Sequence, residues 1–149
     1  MNTSIASAVA KRWEAMDWTR VYQFVNKIQE THKVGRNAFY NQQWFVGEKN
    51  DDMDDWYGYF ELFDEGKPNQ LGLKFIVSFD KGKGNGSKLL DLICKTADSL
   101  GIDLILEAKV VGNDNKRLRQ ANLEKWYRSR GWKRSNTGSY LKMYLRKAG

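Results

Sequence analysis

The sequence predicts one α/β or α+β domain spanning residues 1–149, with helices flanking a mixed, mostly antiparallel, twisted sheet. Aromatic-rich runs of period two between residues 38 and 63 predict antiparallel strands. A strand, a glycine loop, a helix and a second strand follow one another between residues 71 and 108. Because crossovers of this kind are right-handed, the two strands that they join should be parallel.

The composition favours a folded protein without disulfides. The chain has 149 residues, of which 41% are hydrophobic, enough to bury a core. Its one cysteine, Cys94, excludes an internal disulfide framework and a cysteine-based zinc cluster. We therefore expect a cytoplasmic location and no metal. No apolar run approaches the length of a membrane span, so we expect a soluble protein with no membrane partner.

The N-terminal residues 4–33 are predicted to be helical, in two pieces. Ser4 could cap the first piece and Asp17 the second. In the second piece apolar residues recur at three- and four-residue spacing: Trp18, Val21, Phe24, Val25 and Ile28. His32 and Gly35 are predicted to close this helix, with His32 exposed at its C-terminus.

A β-hairpin is predicted next. The runs NAFYNQQWFVGEK and WYGYFELFD flank the polar tip NDDMDD, which lacks the glycine and distal glutamate of a calcium loop. We therefore expect a solvated turn there. After a turn at EGKPN, the run LGLKFIVSF predicts a strand with one buried face, formed by Leu71, Leu73, Phe75, Val77 and Phe79.

The glycine loop after this strand combines glycines with lysines. Gly82, Gly84 and Gly86 are interleaved with Lys81 and Lys83, and Lys88 follows. Glycines allow a ligand close to the backbone, and the next helix directs its first N–H groups and positive dipole end at the loop. An anion is the expected ligand.

The rest of the chain predicts a helix, a strand, a basic helix and a final strand. SKLLDLICKTADSL has helical spacing that buries Cys94, and Gly101 is the expected C-cap. The strand IDLILEA, the helix KRLRQANLEKWYRSR ending at Gly131, and the strand SYLKMYL follow.

The charge is unevenly distributed along the chain. Residues 1–80 contain 9 Lys and Arg against 12 Asp and Glu, a net −3, whereas residues 81–149 contain 16 against 6, a net +10. A basic half suits either a polyphosphate-bearing cofactor or a nucleic acid. In the basic helix and just after it, Trp126, Tyr127 and Trp132 are interleaved with cations, so both interpretations stay open.

Two segments resemble a known family. The loop from Lys81 to Gly86 resembles the Q/R-x-x-G-x-G/A pyrophosphate signature of the GNAT superfamily of N-acetyltransferases, with Lys81 where Gln or Arg is usual. The segment LEKWYRSRGW resembles the downstream "LYxxxGF" segment of the same family. The order of predicted helices and strands is also similar to that of the family.

The resemblance implies that acetyl-coenzyme A is a co-substrate. Its pyrophosphate would bind the backbone N–H groups of the loop, and its pantetheine arm would add along the preceding strand. Lys83 and Lys88 would neutralise phosphates, and Arg117 or Arg119 would reach the 3′-phosphate. Tyr127 matches the tyrosine that protonates the departing thiolate. The cofactor-binding residues so implied are Ile76, Val77, Lys81, Gly82, Lys83, Gly84, Asn85, Gly86, Ser87 and Lys88.

An amine acceptor also requires a base, for which carboxylates are suitable. Glu61, which is predicted to share one strand face with Tyr57, Tyr59 and Phe63, is the first candidate and Glu107 the second. The acceptor would be a primary amine on a small molecule or a protein. The mildly acidic N-terminal half favours a cationic acceptor such as a polyamine, an aminoglycoside, a protein lysine or an N-terminus. The alternatives are a basic nucleic-acid-binding module and a coenzyme A-binding domain without catalysis.

Overall fold

The computed structural model describes residues 18–36, 43–49, 55–79, 84–108, 116–135 and 143–149. These residues form three helices and seven strands. The helices are α1 (Thr19–Gln29), α2 (Asn85–Leu100) and α3 (Lys116–Arg128). The strands are β1 (His32–Arg36), β2 (Gln43–Glu48), β3 (Gly58–Phe63), β4 (Gln70–Ser78), β5 (Asp103–Glu107), β6 (Lys133–Arg134) and β7 (Met143–Arg146).

The seven strands form one mixed sheet with the order β1-β2-β3-β4-β5-β7-β6. Every neighbouring pair is antiparallel except β4 and β5, which are parallel and are joined by α2. The predicted fold class and the parallel crossover are therefore confirmed. The predicted hairpin is also confirmed, because β2 pairs with β3 with Phe45 opposite Tyr59 and Gln43 opposite Glu61.

The prediction that His32 and Gly35 close the second helix is wrong. The helix α1 ends at Gln29, and both residues lie in β1, where Val34 pairs with Val46 of β2. The apolar stripe of the helix stops at Ile28, and the following HKVGR segment gains ladder hydrogen bonds from a partner strand that is distant in sequence. The proposed caps Ser4 and Asp17 lie outside the described residues.

One face of the sheet, here called the helix face, packs against α1 and α2. Its strand residues are almost fully buried: Trp44, Val46, Phe60, Leu62, Leu71, Leu73, Leu104 and Leu106. The helices contribute the apolar stripes around Phe24 and Ile93. Cys94 is buried in this core as predicted, and Gly101 ends α2 in the left-handed conformation with φ 66°.

A β-bulge at residue 75 changes which residues of β4 face the core. Glu61 of β3 lies opposite Lys74, whereas the preceding Phe60 lies opposite Ile76, so residue 75 has no partner in the β3 register. Such an extra residue reverses the alternation beyond it. Ile76 therefore packs against the core, and the prediction that Val77 shares the face of Leu73 is wrong.

The C-terminal elements pack beside α2. The Tyr144 hydroxyl of β7 donates a hydrogen bond to Glu124 Oε1 of α3 at 2.8 Å. The guanidinium of Arg146 donates to both carboxylate oxygens of Asp98 at 2.7 and 2.8 Å. The final strand was predicted, whereas the two-residue β6 was not.

Within the described ranges, no helix is both long and apolar enough to cross a bilayer.

Candidate functional site

The strands β4 and β5 separate partway along their length. Their parallel pairing runs from Gln70 opposite Asp103 to Leu73 opposite Leu106, but β4 continues to Ser78. Beyond Leu73, no described strand pairs with this edge of β4. An extended ligand can therefore hydrogen-bond to the β4 backbone there. The two predicted strand-binding residues, Ile76 and Val77, lie in this stretch.

The first turn of α2 begins where this open edge of β4 ends. Its N-cap is Gly84, in the left-handed conformation with φ 73° and ψ 14°, and no side chain caps the helix. The first turn has no acidic residue, and a Cβ built at Gly84 would meet nothing within 4 Å. The N–H groups of this turn have no acceptor within the helix, which favours an anion.

Both neighbours of this turn hold it in place. The Asn85 side-chain amide donates to the Phe79 carbonyl oxygen at 2.9 Å, which ties the helix start to the end of β4. On the other side, Trp126 Nε1 of α3 donates to Ser87 Oγ at 3.3 Å. A Cβ on Gly86 would lie 3.4 Å from the Cβ of Ser78. The start of α2 therefore approaches the end of β4 closely, and a small residue at position 86 suits this contact.

The cationic residues predicted to contact phosphates are only partly described. Lys88 is exposed, and its Nζ lies 5.5 Å from the centroid of the Tyr57 ring. Arg119 is exposed on α3. Lys81, Gly82 and Lys83, together with the side chain of Arg117, lie outside the described residues, so their roles stay predictions.

Tyr127 lies beside α2 on the helix face and is 7% exposed. Its ring centroid is 5.1 Å from that of Trp126 and 5.7 Å from that of Trp132. Burial, followed by the nearby Cys94, raises the pKa of Tyr127 to about 12. The hydroxyl is therefore protonated at neutral pH and is chemically a proton or hydrogen-bond donor.

The two candidate bases lie on the opposite face of the sheet. Glu61 is 6% exposed, and Gln43 Nε2 donates to its Oε1 at 3.0 Å. Lys74 lies opposite Glu61, and the Leu73–Leu106 pair puts Glu107 next in line on β5. The register thus puts Glu61 opposite Lys74, and the exposed Glu107 lies on the same face just beyond the last β4–β5 pair.

Sequence reasoning missed Gln43, the hydrogen-bonding partner of Glu61, and the link between Trp126 and Ser87. The alternation of NQQWFVGE shows that Gln43 shares a face with Phe45, but only the strand register shows that it meets Glu61. The Trp126–Ser87 contact joins residues 39 positions apart, and no local pattern signals it. In the described part of the chain, no cluster of three or more His, Cys, Asp or Glu residues could hold a metal ion.

Solved structures identify the fold. A Desulfovibrio desulfuricans protein described as an acetyltransferase of the GNAT family matches with a TM-score of 0.52 and 18% identity, over 72% of this chain and 71% of that one. N-acetylglutamate synthase of Neisseria gonorrhoeae, solved with coenzyme A and N-acetylglutamate, matches with a TM-score of 0.51 and 14% identity. This chain therefore has the fold of the GNAT acetyltransferases.

The extent of these matches differs. The alignment with N-acetylglutamate synthase covers 90% of this chain but only 34% of the synthase chain. A second structure of that synthase, with coenzyme A and L-arginine, gives a TM-score of 0.50 at 14% identity and covers 32% of the synthase chain. This chain thus spans about a third of the synthase. No protein-family model matches the sequence, and no curated protein is similar to it.

Proposed function

We propose that this protein transfers the acetyl group of acetyl-coenzyme A to a primary amine. The observation that carries the proposal is the open edge of β4, which leads directly into the uncapped, acid-free start of α2. A strand edge with which no described strand pairs suits a pantetheine arm, whose amides can pair with it as a strand would. A helix N-terminus suits the pyrophosphate at the end of that arm. Coenzyme A carries both groups, the amide-containing arm and the pyrophosphate, in one ligand.

In this proposal, the loop and the open strand edge bind and orient the co-substrate. The N–H groups from Lys81 to Ser87 would hold the pyrophosphate, with Lys83 and Lys88 supplying positive charge. Ile76 and Val77 would pair with the pantetheine arm. Coenzyme A supplies the acetyl group as a thioester, and positioning contributes most of the rate acceleration.

The proton transfers would come from residues on the two faces of the sheet. A neutral amine attacks the thioester carbonyl carbon, the new C–N bond forms and the C–S bond breaks. Tyr127, which is neutral at physiological pH, would give its proton to the departing sulfur. Glu61 would take a proton from the acceptor ammonium before the attack, and Glu107 is the second candidate for that role. The proton that the nitrogen loses as the amide forms would return to Tyr127 through solvent.

Acetyl-coenzyme A binding tests the proposal directly. We expect calorimetry to detect binding and expect Gly84→Asp to abolish it, because a carboxylate would occupy the place of the pyrophosphate. Gly66→Asp is the matched control: Gly66 is also left-handed, with φ 83° and no atom within 4 Å of a built Cβ. A wild-type protein that does not bind, or a Gly84→Asp variant that binds like the control, would refute the proposal.

A coenzyme A-binding domain without catalysis is distinguished by turnover. Release of free thiol in the presence of an amine should fall by roughly two to four orders of magnitude in Tyr127→Phe if Tyr127 is the acid. In the wild type, the pKa of about 12 predicts no loss of rate from Tyr127 between pH 7 and 10. Binding with no thiol release from any amine would favour the non-catalytic alternative.

The nucleic-acid alternative has less support. Bases stack on exposed aromatic rings, but Tyr127 is 7% exposed and Trp132 1% exposed. Trp126 packs against the α2 start through its bond to Ser87. The aromatic residues of the basic segment therefore belong to the protein's own packing.

A further inference from the structure

The sheet face opposite α1 and α2, here called the aromatic face, has a cluster of four half-buried rings. The cluster consists of Phe45, Trp56, Tyr59 and Phe79. The centroid of Phe45 lies 6.0 Å from that of Trp56, 5.4 Å from Tyr59 and 6.1 Å from Phe79. The rings form one connected surface that ends at Phe79, just beyond the open edge of β4.

Glycines make room for this surface. A Cβ on Gly35 of β1 would lie 2.9 Å from the Trp56 ring. A Cβ on Gly47 of β2 would lie 2.6 Å from the Asp55 carbonyl oxygen and 2.7 Å from Cε of Lys33. Because side chains at these two positions would displace the indole or its segment, the backbone is shaped to hold Trp56 against the sheet.

The same surface already holds an ammonium group. Lys33 Nζ lies 4.4 Å from the centroid of the Trp56 ring, which is cation–π geometry. A ring in this cluster can therefore stabilise a positive charge placed over it.

A buried carboxylate lies next to the rings. Glu61 follows Tyr59 by two residues on β3, so the two side chains share the aromatic face about 7 Å apart. Gln43 Nε2 donates to Oε1 of Glu61 at 3.0 Å. A carboxylate that is 6% exposed would be stabilised further by a bound cation.

The charged residues on this face include a carboxylate that can pair with an ammonium. The described strands place Lys33, Lys74, Glu61 and Glu107 on it, and Glu61 is the carboxylate on the strand of Tyr59. A polyamine or an aminoglycoside carries several positive charges but no aromatic ring to lie on the cluster. An amine with one charge and an apolar body matches both the rings and the carboxylate.

From these observations we propose that the acceptor is an arylalkyl monoamine. Its aromatic ring lies on the cluster of Phe45, Trp56, Tyr59 and Phe79, and its ammonium binds Glu61. This inference rests on the proposed acetyl transfer, because it supplies the acceptor of that reaction. Once Glu61 has taken a proton, the neutral amine lies beside Val77, next to the β4 edge where the thioester would bind.

The test compares amines of different body and charge. With saturating acetyl-coenzyme A, thiol release should give a kcat/KM for phenethylamine or tryptamine about tenfold or more above that for butylamine, a difference of roughly 1.4 kcal/mol. Spermidine and a lysine-containing peptide should be poorer still. Preference for spermidine, for the peptide or for butylamine would overturn the inference while leaving acetyl transfer intact.

Variants of the aromatic face test whether the preference for arylalkyl amines arises there. Trp56→Leu and Phe79→Leu should raise the KM for phenethylamine about tenfold, with little change for butylamine. Tyr22→Leu is the control, since Tyr22 is an aromatic residue 39% exposed beside the helix face. Equal effects of all three variants, or none, would contradict the proposed site.

A measurement of amine binding tests the acceptor assignment even if the protein shows no turnover. Calorimetric titration of the protein with phenethylamine should show binding that weakens in Trp56→Leu and Glu61→Gln but not in Tyr22→Leu. No binding of phenethylamine to a protein that binds acetyl-coenzyme A would refute the acceptor assignment alone. Failure to bind acetyl-coenzyme A would refute the proposed function instead.

Discussion

The two faces of the sheet use the same strands for different purposes. Phe60 and Leu62 of β3 point to the helix face and are fully buried. Tyr59, which precedes Phe60, and its cross-strand neighbour Phe45 remain half-buried on the aromatic face. Apolar area removed from water by α1 and α2 stabilises the fold. Aromatic area left accessible is available to a ligand. The contrast separates residues that maintain the fold from residues that can recognise a partner.

Truncation of one aromatic ring on each face should give the largest difference in the free energy of unfolding. We expect Phe60→Ala to lower the free energy of unfolding by about 3–5 kcal/mol, because it leaves a cavity beneath the helices. Phe45→Ala should cost roughly half as much or less, since its ring already contacts water. Denaturant unfolding measures both. Equal losses would show that the aromatic face is as much a part of the core as the helix face.

A glycine substitution should have a smaller effect on the aromatic face. A Cβ on Gly72 of β4 would overlap the ring of Phe63, which lies over it from β3. Gly72→Ala should therefore cost about 1–3 kcal/mol through displacement of that ring. The same substitution should cost less in a Phe63→Leu background, and a double-mutant cycle measures the coupling. If the two substitutions lower the free energy of unfolding additively, the Phe63 ring moves aside without cost and the proposed overlap is wrong.

An ion pair on the helix face should have the smallest effect. The bidentate hydrogen bonds from Arg146 hold the pKa of Asp98 below its usual range. This stabilisation is present at neutral pH and is lost as pH falls through the lowered pKa. Asp98→Asn should cost about 1 kcal/mol or less at pH 7, since the pair is partly exposed. A difference from wild type that does not shrink toward pH 2 would disprove this linkage.

Local patterns predicted most of the elements that build the candidate site. The period-two aromatic runs predicted β2 and β3, and the stripe around Ile93 with Gly101 predicted α2 and its end. The glycine spacing predicted a left-handed, ligand-accessible helix start, and Gly84 has that conformation. These signals are local because they depend on backbone preferences and on side-chain periodicity within one element.

The sequence alone therefore determined the strand–loop–helix unit and the kinds of residue around it. Only the tertiary structure decided that His32 joins a strand, that residue 75 forms a bulge, and that Gln43 meets Glu61. Each depends on pairing with a strand distant in the chain, and a register shift of one residue exchanges the two faces of a strand. The bulge is decisive, because it turns Ile76 to the core and leaves Val77 and Phe79 on the aromatic face, where we propose that the acceptor binds.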